Sequence, residues 1–129
     1  MLVLDATTKS ITTKLGAVHT TNPVTFVYAY ADQVDSTETF TEGGDVAQSN
    51  GTTSQVVIPA PAASTQRTVK DVMIYNSDTI SHAVTLYYTV SGTDYPFYKE
   101  TLAAGAWTYP LRDGVFEGSA AAAAEMVLS

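Results

Sequence analysis

The sequence predicts an all-β protein, an antiparallel β-sandwich of jelly-roll-like architecture, with an immunoglobulin-like sandwich as the alternative. Three observations predict this fold class. The 129 residues include twenty threonines and eight tyrosines, residue types that favour pleated, half-buried surfaces over helix. Short runs of period-two alternation recur along the chain. Turn-forming residues separate these runs at intervals of about 8–12 residues, which is typical of sandwiches.

Seven to eight strands follow from the local patterns. Apolar runs near Leu2–Leu4 and Ile11–Val18 indicate two strands in the first twenty residues. From Val24 to Tyr30 large side chains alternate with smaller ones, which predicts a strand with one heavily buried face. The remaining predicted strands are Ser54–Ile58, Arg67–Tyr75, Ala83–Val90, Tyr95–Leu102 and Ala106–Leu111.

The predicted strand RTVKDVMIY is apolar on both faces. Simple alternation places Val69, Met73 and Tyr75 on one face and Val72 and Ile74 on the other. A strand that is apolar on both faces suits an inner position in a sandwich.

The predicted turns each have a physical cause. Asn50-Gly51 and Asp113-Gly114 supply residues that tolerate positive φ, as tight hairpin turns require. Asx- or glycine-type turns are expected at 76–79 and 91–94, and a further turn at 103–105.

The segment from Asp32 to Gln55 is long, polar and acidic, and it contains no basic residue. Such a charge run is typical of a solvated loop, and a long loop on a small sandwich is also a place for a binding surface. The candidate partner-interface residues in it are Asp32, Asp35, Glu38, Glu42 and Asp45.

The C-terminal segment differs from the rest in composition. We expect a sandwich domain at 1–117 and an alanine-rich arm or tail at 118–129. The arm is interpreted as docking on a neighbour, with a frayed terminus and a short helix capped by Ser119 as alternatives. Its candidate interface residues are Ala120, Ala124, Met126 and Leu128.

Composition and charge exclude several classes of function. Six Lys and Arg against thirteen Asp and Glu give a net charge of −7, so nucleic acid is not an expected partner. Cysteine is absent, which excludes disulfides and thiolate metal sites and favours synthesis in a reducing cytoplasm. The sequence shows neither a signal-peptide pattern nor an apolar run of membrane-spanning length, so no membrane association is expected.

No residue pattern identifies a reaction. The only histidines, His19 and His82, are interpreted as surface or strand-end residues, and no nucleophile motif accompanies them. The carboxylates lack the spacing of a calcium loop. We therefore expect no catalytic residues, no metal ligands, no cofactor and no enzymatic activity.

Aromatic residues cluster in the second half of the chain. The leading interpretation places most of them in the sandwich core; a protein interface and a glycan-binding platform are the alternatives. The cluster consists of Tyr87, Tyr95, Phe97, Tyr98, Trp107 and Tyr109.

One long stretch resembles a recurrent module of small virion proteins of tailed bacteriophages. It runs from Thr53 to Gly105, and its elements are PAPAASTQR, VKDVMIYNSDT, VTLYY and SGTDY followed by KETLAAG. The opening LDATTKSITTKLGAVHTTNPVTFVYAYAD also resembles the start of such proteins. The chain departs from the module after Asp113-Gly114, where residues 118–129 extend beyond the usual ending.

The resemblance implies a β-sandwich capsid decoration (cement) protein. Such a protein would stabilise the head by bridging subunits of the major capsid protein and would associate with itself as a homodimer or homotrimer. Its expected location is the capsid surface of the virion, after synthesis in the host cytoplasm. The alternatives are a tail, fibre or baseplate component with a receptor- or glycan-binding face, and a free-standing carbohydrate-binding module.

Overall fold

The computed structural model describes residues 2–35 and 39–116 and contains ten strands in them. Glu38 and the predicted arm, with Ala120, Ala124, Met126 and Leu128, lie outside the described residues. Two strands were not expected from the sequence, the fourth and the tenth. The strands are β1 (Leu2–Leu4), β2 (Lys9–Leu15), β3 (Thr25–Val34), β4 (Thr39–Gln48), β5 (Gln55–Ile58), β6 (Thr65–Tyr75), β7 (His82–Val90), β8 (Thr93–Leu102), β9 (Trp107–Arg112) and β10 (Val115–Phe116).

The strands form two antiparallel sheets, which confirms the predicted all-β sandwich. The larger sheet has the order β10-β9-β6-β3-β4, and β1 also pairs with β6. The smaller sheet has the order β5-β2-β7-β8. Among the described strands, β3–β4, β7–β8 and β9–β10 are hairpins between consecutive strands, and the other neighbouring strands are distant in sequence.

A β-bulge decides which residues of β6 face the core. The register between β6 and β3 shifts at Lys70, which is one extra residue on β6. Val69, Val72 and Ile74 are consequently all buried, although simple alternation separates the first from the other two. The expectation that Val69 shares a face with Met73 was therefore wrong, whereas the inner position of this strand is confirmed.

The acidic segment predicted as a loop is instead part of a long hairpin. Strand β3 continues to Val34, and β4 pairs with it without interruption from Val34 opposite Thr39 to Thr25 opposite Gln48. Strand β4 is an edge strand whose side chains are mostly exposed, so it needs no apolar alternation and carries none of the usual sequence signal. The loop interpretation was wrong for this reason.

Leu4, Ile11, Phe26, Ile74 and Leu86 are among the core residues that fill the space between the sheets. Each is no more than 1% exposed. The described residues include no helix that is long and apolar enough to cross a membrane.

The turn chemistry agrees with the sequence. Asp113 and Gly114 have φ of 52° and 81° and connect β9 to β10, while Ser91 and Gly92 have φ of 50° and 85° and connect β7 to β8. Two consecutive residues with positive φ are what a two-residue hairpin turn requires.

Candidate functional site

The outer face of the larger sheet carries a row of exposed apolar side chains that crosses four strands. The register places Val46 opposite Val27, Val27 opposite Met73, and Tyr75 opposite Trp107. Monomeric proteins rarely leave large continuous apolar patches in water, so such a row indicates a contact surface. We call this row the outer stripe: Val27, Val46, Met73, Tyr75, Trp107 and Tyr109.

The outer stripe follows from alternation along well-paired strands. Phe26 and Tyr28 are buried on the inner face of β3, so Val27 between them points outward. On β6 the buried Ile74 likewise leaves Tyr75 on the outer face. The stripe therefore lies on strands whose opposite side chains pack in the core.

The stripe ends in an aromatic and cationic corner on β9. Trp107 and Tyr109 pack edge to face with ring centroids 5.3 Å apart, and the Arg112 guanidinium lies 4.2 Å above the Tyr109 ring. Together with Thr108 these residues line a shallow cavity of about 250 Å³. An exposed indole beside a guanidinium suits contact with a protein or a sugar.

The aromatic residues of the second half are mostly outside the core. Tyr98 is buried, and Phe97 packs against the core. Trp107 and Tyr95, in contrast, are 58% and 56% exposed. Tyr87 and Tyr109 are half-buried. The interpretation that most of these residues fill the core was wrong, because β8 is an edge strand and no other described strand covers the outer face of β9.

The acidic candidates do not form one patch. Asp32 is engaged by Arg67, whose Nε and Nη2 donate to its two carboxylate oxygens at 2.8 and 3.0 Å. Glu42 lies 3.3 Å from Lys70 on the outer face. Asp45 faces the opposite side of β4, where it is paired with Tyr28, and Asp35 is exposed beyond the end of β3.

The Asp32–Arg67 pair is structural. Its hydrogen bond to Asp32 raises the pKa of the Arg67 guanidinium, an effect that partial burial opposes. Arg67 also donates to the Pro59 carbonyl at 2.8 Å and lies over the Tyr30 ring. It therefore links β3 and β6 of the larger sheet to the end of β5 in the smaller one.

The side of the sandwich between β4 and β5 is open. A groove of about 680 Å³ lies between these two edge strands and is lined by Tyr28, Asp45, Ala47, Val57 and Pro59, among others. Both strands are at the ends of their sheets, so neither has a neighbouring strand on this side within residues 2–35 and 39–116.

Sequence reasoning missed a buried polar cluster at the turn between β6 and β7. We call it the turn cluster: Asn76, Asp78 and His82. Asn76 Nδ2 donates to three carbonyls on two segments, that of Ile80 in the turn and those of Leu102 and Ala103 at the end of β8. His82 was expected at the surface or at a strand end; it does begin β7, but it is buried.

Asp78 anchors a separate loop to this turn. Its carboxylate accepts hydrogen bonds from the backbone amides of Thr20, Thr21 and Asn22 and lies 2.7 Å from His82 Nε2. Burial raises the pKa of Asp78, but the hydrogen bonds from His82 and the amides outweigh it and lower the pKa well below its ordinary value. In the sequence, the feature that could have revealed this cluster is an Asp and a His four residues apart at a predicted turn.

The side chains of the turn cluster are closed to solvent. The side chains of Asp78 and His82 have no solvent exposure, and His82 Nδ1 is buried without a hydrogen-bond partner. Within the described part of the chain, no group of three or more His, Cys, Asp or Glu side chains is arranged to hold a metal ion. The arrangement fixes the loop at 20–22 against the turn.

Comparison with known proteins adds no identification. No family model, no curated protein and no solved structure matches this chain.

Proposed function

We propose that the chain is a structural virion protein of a tailed bacteriophage, a capsid decoration protein that stabilises the head by bridging subunits of the major capsid protein. The outer stripe is the observation that carries this proposal. It gives one face of the sandwich a continuous apolar row for docking, with Trp107 among its most exposed residues. The resemblance of the stretch from Thr53 to Gly105 to small phage virion proteins supplies the identity of the partner.

The symmetry of a capsid shell supports a docking role for the outer stripe. A decoration protein is bound many times by a symmetric shell, so contacts of modest strength stabilise the particle through their number. The apolar face supplies most of the contact, while the acidic surface elsewhere is available for complementary charges on the shell. The protein would lie on the capsid surface after synthesis in the host cytoplasm.

The test measures binding to capsids that lack the protein. We expect saturation at hundreds of copies per particle and a gain in heat resistance. Trp107→Ala should weaken binding by about tenfold or more, because exposed tryptophans at interface centres often contribute about 2 kcal/mol. Tyr95→Ala is the matched control, since Tyr95 is equally exposed but lies on the smaller sheet. Equal loss in both variants, or particles without the protein that are stable but fail to adsorb, would contradict the proposal.

A second candidate is a tail, fibre or baseplate component with a glycan-binding face. The cavity formed by Trp107, Tyr109 and Arg112 is the observation that favours it. In that case the copy number per particle would be a small multiple, and binding on a glycan array would disappear in Trp107→Ala. The capsid decoration proposal predicts no binding on a glycan array.

The arm at 118–129 gives a separate test of the domain boundary. We expect that deleting it leaves the sandwich folded and weakens attachment to the capsid or self-association. A truncated chain that is unfolded by circular dichroism would show that these residues belong to the core.

A further inference from the structure

Strand β4 is a ten-residue edge that lacks three common protections against pairing: lysine, proline and a bulge. Natural edge strands carry lysine, proline or bulges that block the addition of another strand. The sequence of β4, TFTEGGDVAQ, contains neither lysine nor proline, and its pairing with β3 is regular along its whole length. The other long edge strand, β8, has both a proline and a lysine and pairs with a register shift.

The backbone groups that face the open side can be assigned. Ser49 N–H donates to the Val24 carbonyl, so alternate residues before Ser49 bond to β3 and the others point away from it. The outward-pointing set is Phe40, Glu42, Gly44, Val46 and Gln48. Val46 N–H agrees with this assignment, since its partner is the Asp45 side chain rather than β3.

We propose that a second copy of this chain adds to β4 in the antiparallel direction, around a twofold axis at Gly43. In this register Phe40 lies opposite Val46 of the second copy, Glu42 opposite Gly44, and Thr41 opposite Asp45. The hydrogen bonds then join outward-pointing residues of both copies, as an antiparallel ladder requires. The larger sheets of the two copies then form one continuous sheet.

Three observations favour a second copy in this register. Phe40 and Val46 are 66% and 55% exposed, and the register packs each against the other. No acidic side chain lies directly opposite another; a shift by two residues in one direction would set Glu42 against Glu42. The glycines at the axis leave room for close approach, and Lys70 lies 3.3 Å from Glu42, which reduces the remaining repulsion.

The dimer would extend the outer stripe. Phe40 lies on the same face of β4 as Val46, which belongs to the stripe, so the twofold axis joins two stripes into one surface. The inference deepens the proposed function and rests on it for its biological purpose, because it names the surface of self-association. The dimer itself is measured on the purified chain without capsids.

The first experiment is sedimentation equilibrium of the full chain. We expect a dimer, and we expect Phe40→Lys with Val46→Lys to raise its dissociation constant by about tenfold or more, because two apolar cross-strand pairs are lost. The control is Val18→Lys with Val115→Lys, which changes the charge equally at residues 64% and 63% exposed. A monomeric parent, or equal weakening by both double variants, would overturn the proposal.

The second experiment tests the register by disulfide cross-linking. Because the natural sequence contains no cysteine, the introduced cysteines are the only thiols that can react. Thr41 and Asp45 of the two copies form non-hydrogen-bonded pairs, whose Cα separation of about 4.5 Å suits a disulfide. Thr41→Cys with Asp45→Cys should give a covalent dimer on mild oxidation, while each single variant should not. Absence of the covalent dimer, or its formation equally in a single variant, would overturn this register.

Further outcomes separate the two proposals. A dimer that is lost on deletion of the arm at 118–129 would mean that dimerisation depends on the arm rather than on pairing between the two β4 edges. Loss of capsid binding in Trp107→Ala with an intact dimer is the result expected if the stripe and the edge act separately. A dimer that binds no capsid would contradict the proposed function alone, and a monomeric chain that binds capsids would contradict the dimer alone.

Discussion

The turn cluster and the β4 edge satisfy their backbone polar groups in opposite ways. At the turn cluster, Asn76 and Asp78 are buried, and they bind backbone groups of two other segments, at 102–103 and at 20–22. Along β4, alternate N–H and C=O groups point toward solvent, and one of them is satisfied by the neighbouring Asp45 side chain. The comparison shows where this sandwich gains rigidity and where it remains open to association.

The largest expected effect is at Asn76. Asn76→Ala should lower the free energy of unfolding by roughly 3 kcal/mol, because the carbonyls of Ile80, Leu102 and Ala103 lose their donor together. Chemical unfolding in urea measures it. Asn22→Ala is the control, since its side-chain amide makes an exposed hydrogen bond to Ser77; a similar loss in both would contradict the importance of the turn cluster.

Acid should open the turn cluster. The folded state lowers the pKa of Asp78 from its ordinary value of 3.8, so Asp78 contributes stability above that value, and this stability is lost as the pH falls below it. Unfolding free energies measured from pH 7 to pH 2 should therefore decline on the acid side, and Asp78→Asn should flatten the decline. Asp5→Asn, at an exposed ion pair with Lys9, should flatten it less. If the free energy of unfolding of Asp78→Asn declined at low pH as steeply as that of the parent, Asp78 would not be the source of the acid sensitivity.

At the β4 edge, stability depends on close approach to β3. A methyl group at Gly44 would lie 2.8 Å from the Tyr28 carbonyl oxygen, so Gly44→Ala should cost roughly 2 kcal/mol in the free energy of unfolding. Gly43→Ala is the matched neighbour, because its methyl group would meet the end of the Tyr30 ring, which can rotate away. Urea unfolding should show the larger loss for Gly44→Ala, and the reverse order would contradict the geometry.

The smallest effects concern ion pairs on the two faces of the larger sheet. Arg67→Ala should cost about 1–2 kcal/mol, because Arg67 is largely buried and bidentate to Asp32. Lys70→Ala should change the free energy of unfolding by no more than about 0.5 kcal/mol, since its pair with Glu42 is exposed. Thermal unfolding of both variants would measure the difference, and equal shifts would be unexpected.

Local patterns predicted most strands, and tertiary contacts explain the errors. Seven strands besides β1 lie where alternation or β-branched runs placed them, and the Asp113-Gly114 turn has the expected positive φ. Strand β4 was missed because an edge strand has no buried face to pattern. The faces of β6 were misassigned because the bulge at Lys70 depends on β3, which is far away in sequence.

The candidate surfaces were predicted less well than the fold. The sequence pointed to five acidic residues, but Asp32 is paired internally, and Glu42 and Asp45 point to opposite faces of β4. Trp107 was named only as one member of an aromatic group, most of which was assigned to the core. The exposure of an aromatic residue depends on whether another layer covers its strand. The sequence of that strand alone does not predict this.

By itself the sequence determined that this chain forms a cysteine-free β-sandwich with tight glycine turns and low charge density. These properties follow from residue propensities and short-range periodicity, which act within a few residues. Only the tertiary structure decided that β4 is an open edge, that the outer stripe crosses four strands, and that Asp78 anchors the loop at 20–22. Each of these depends on pairing between distant segments, because a strand gains its neighbours, its faces and its free edge from the sheet as a whole.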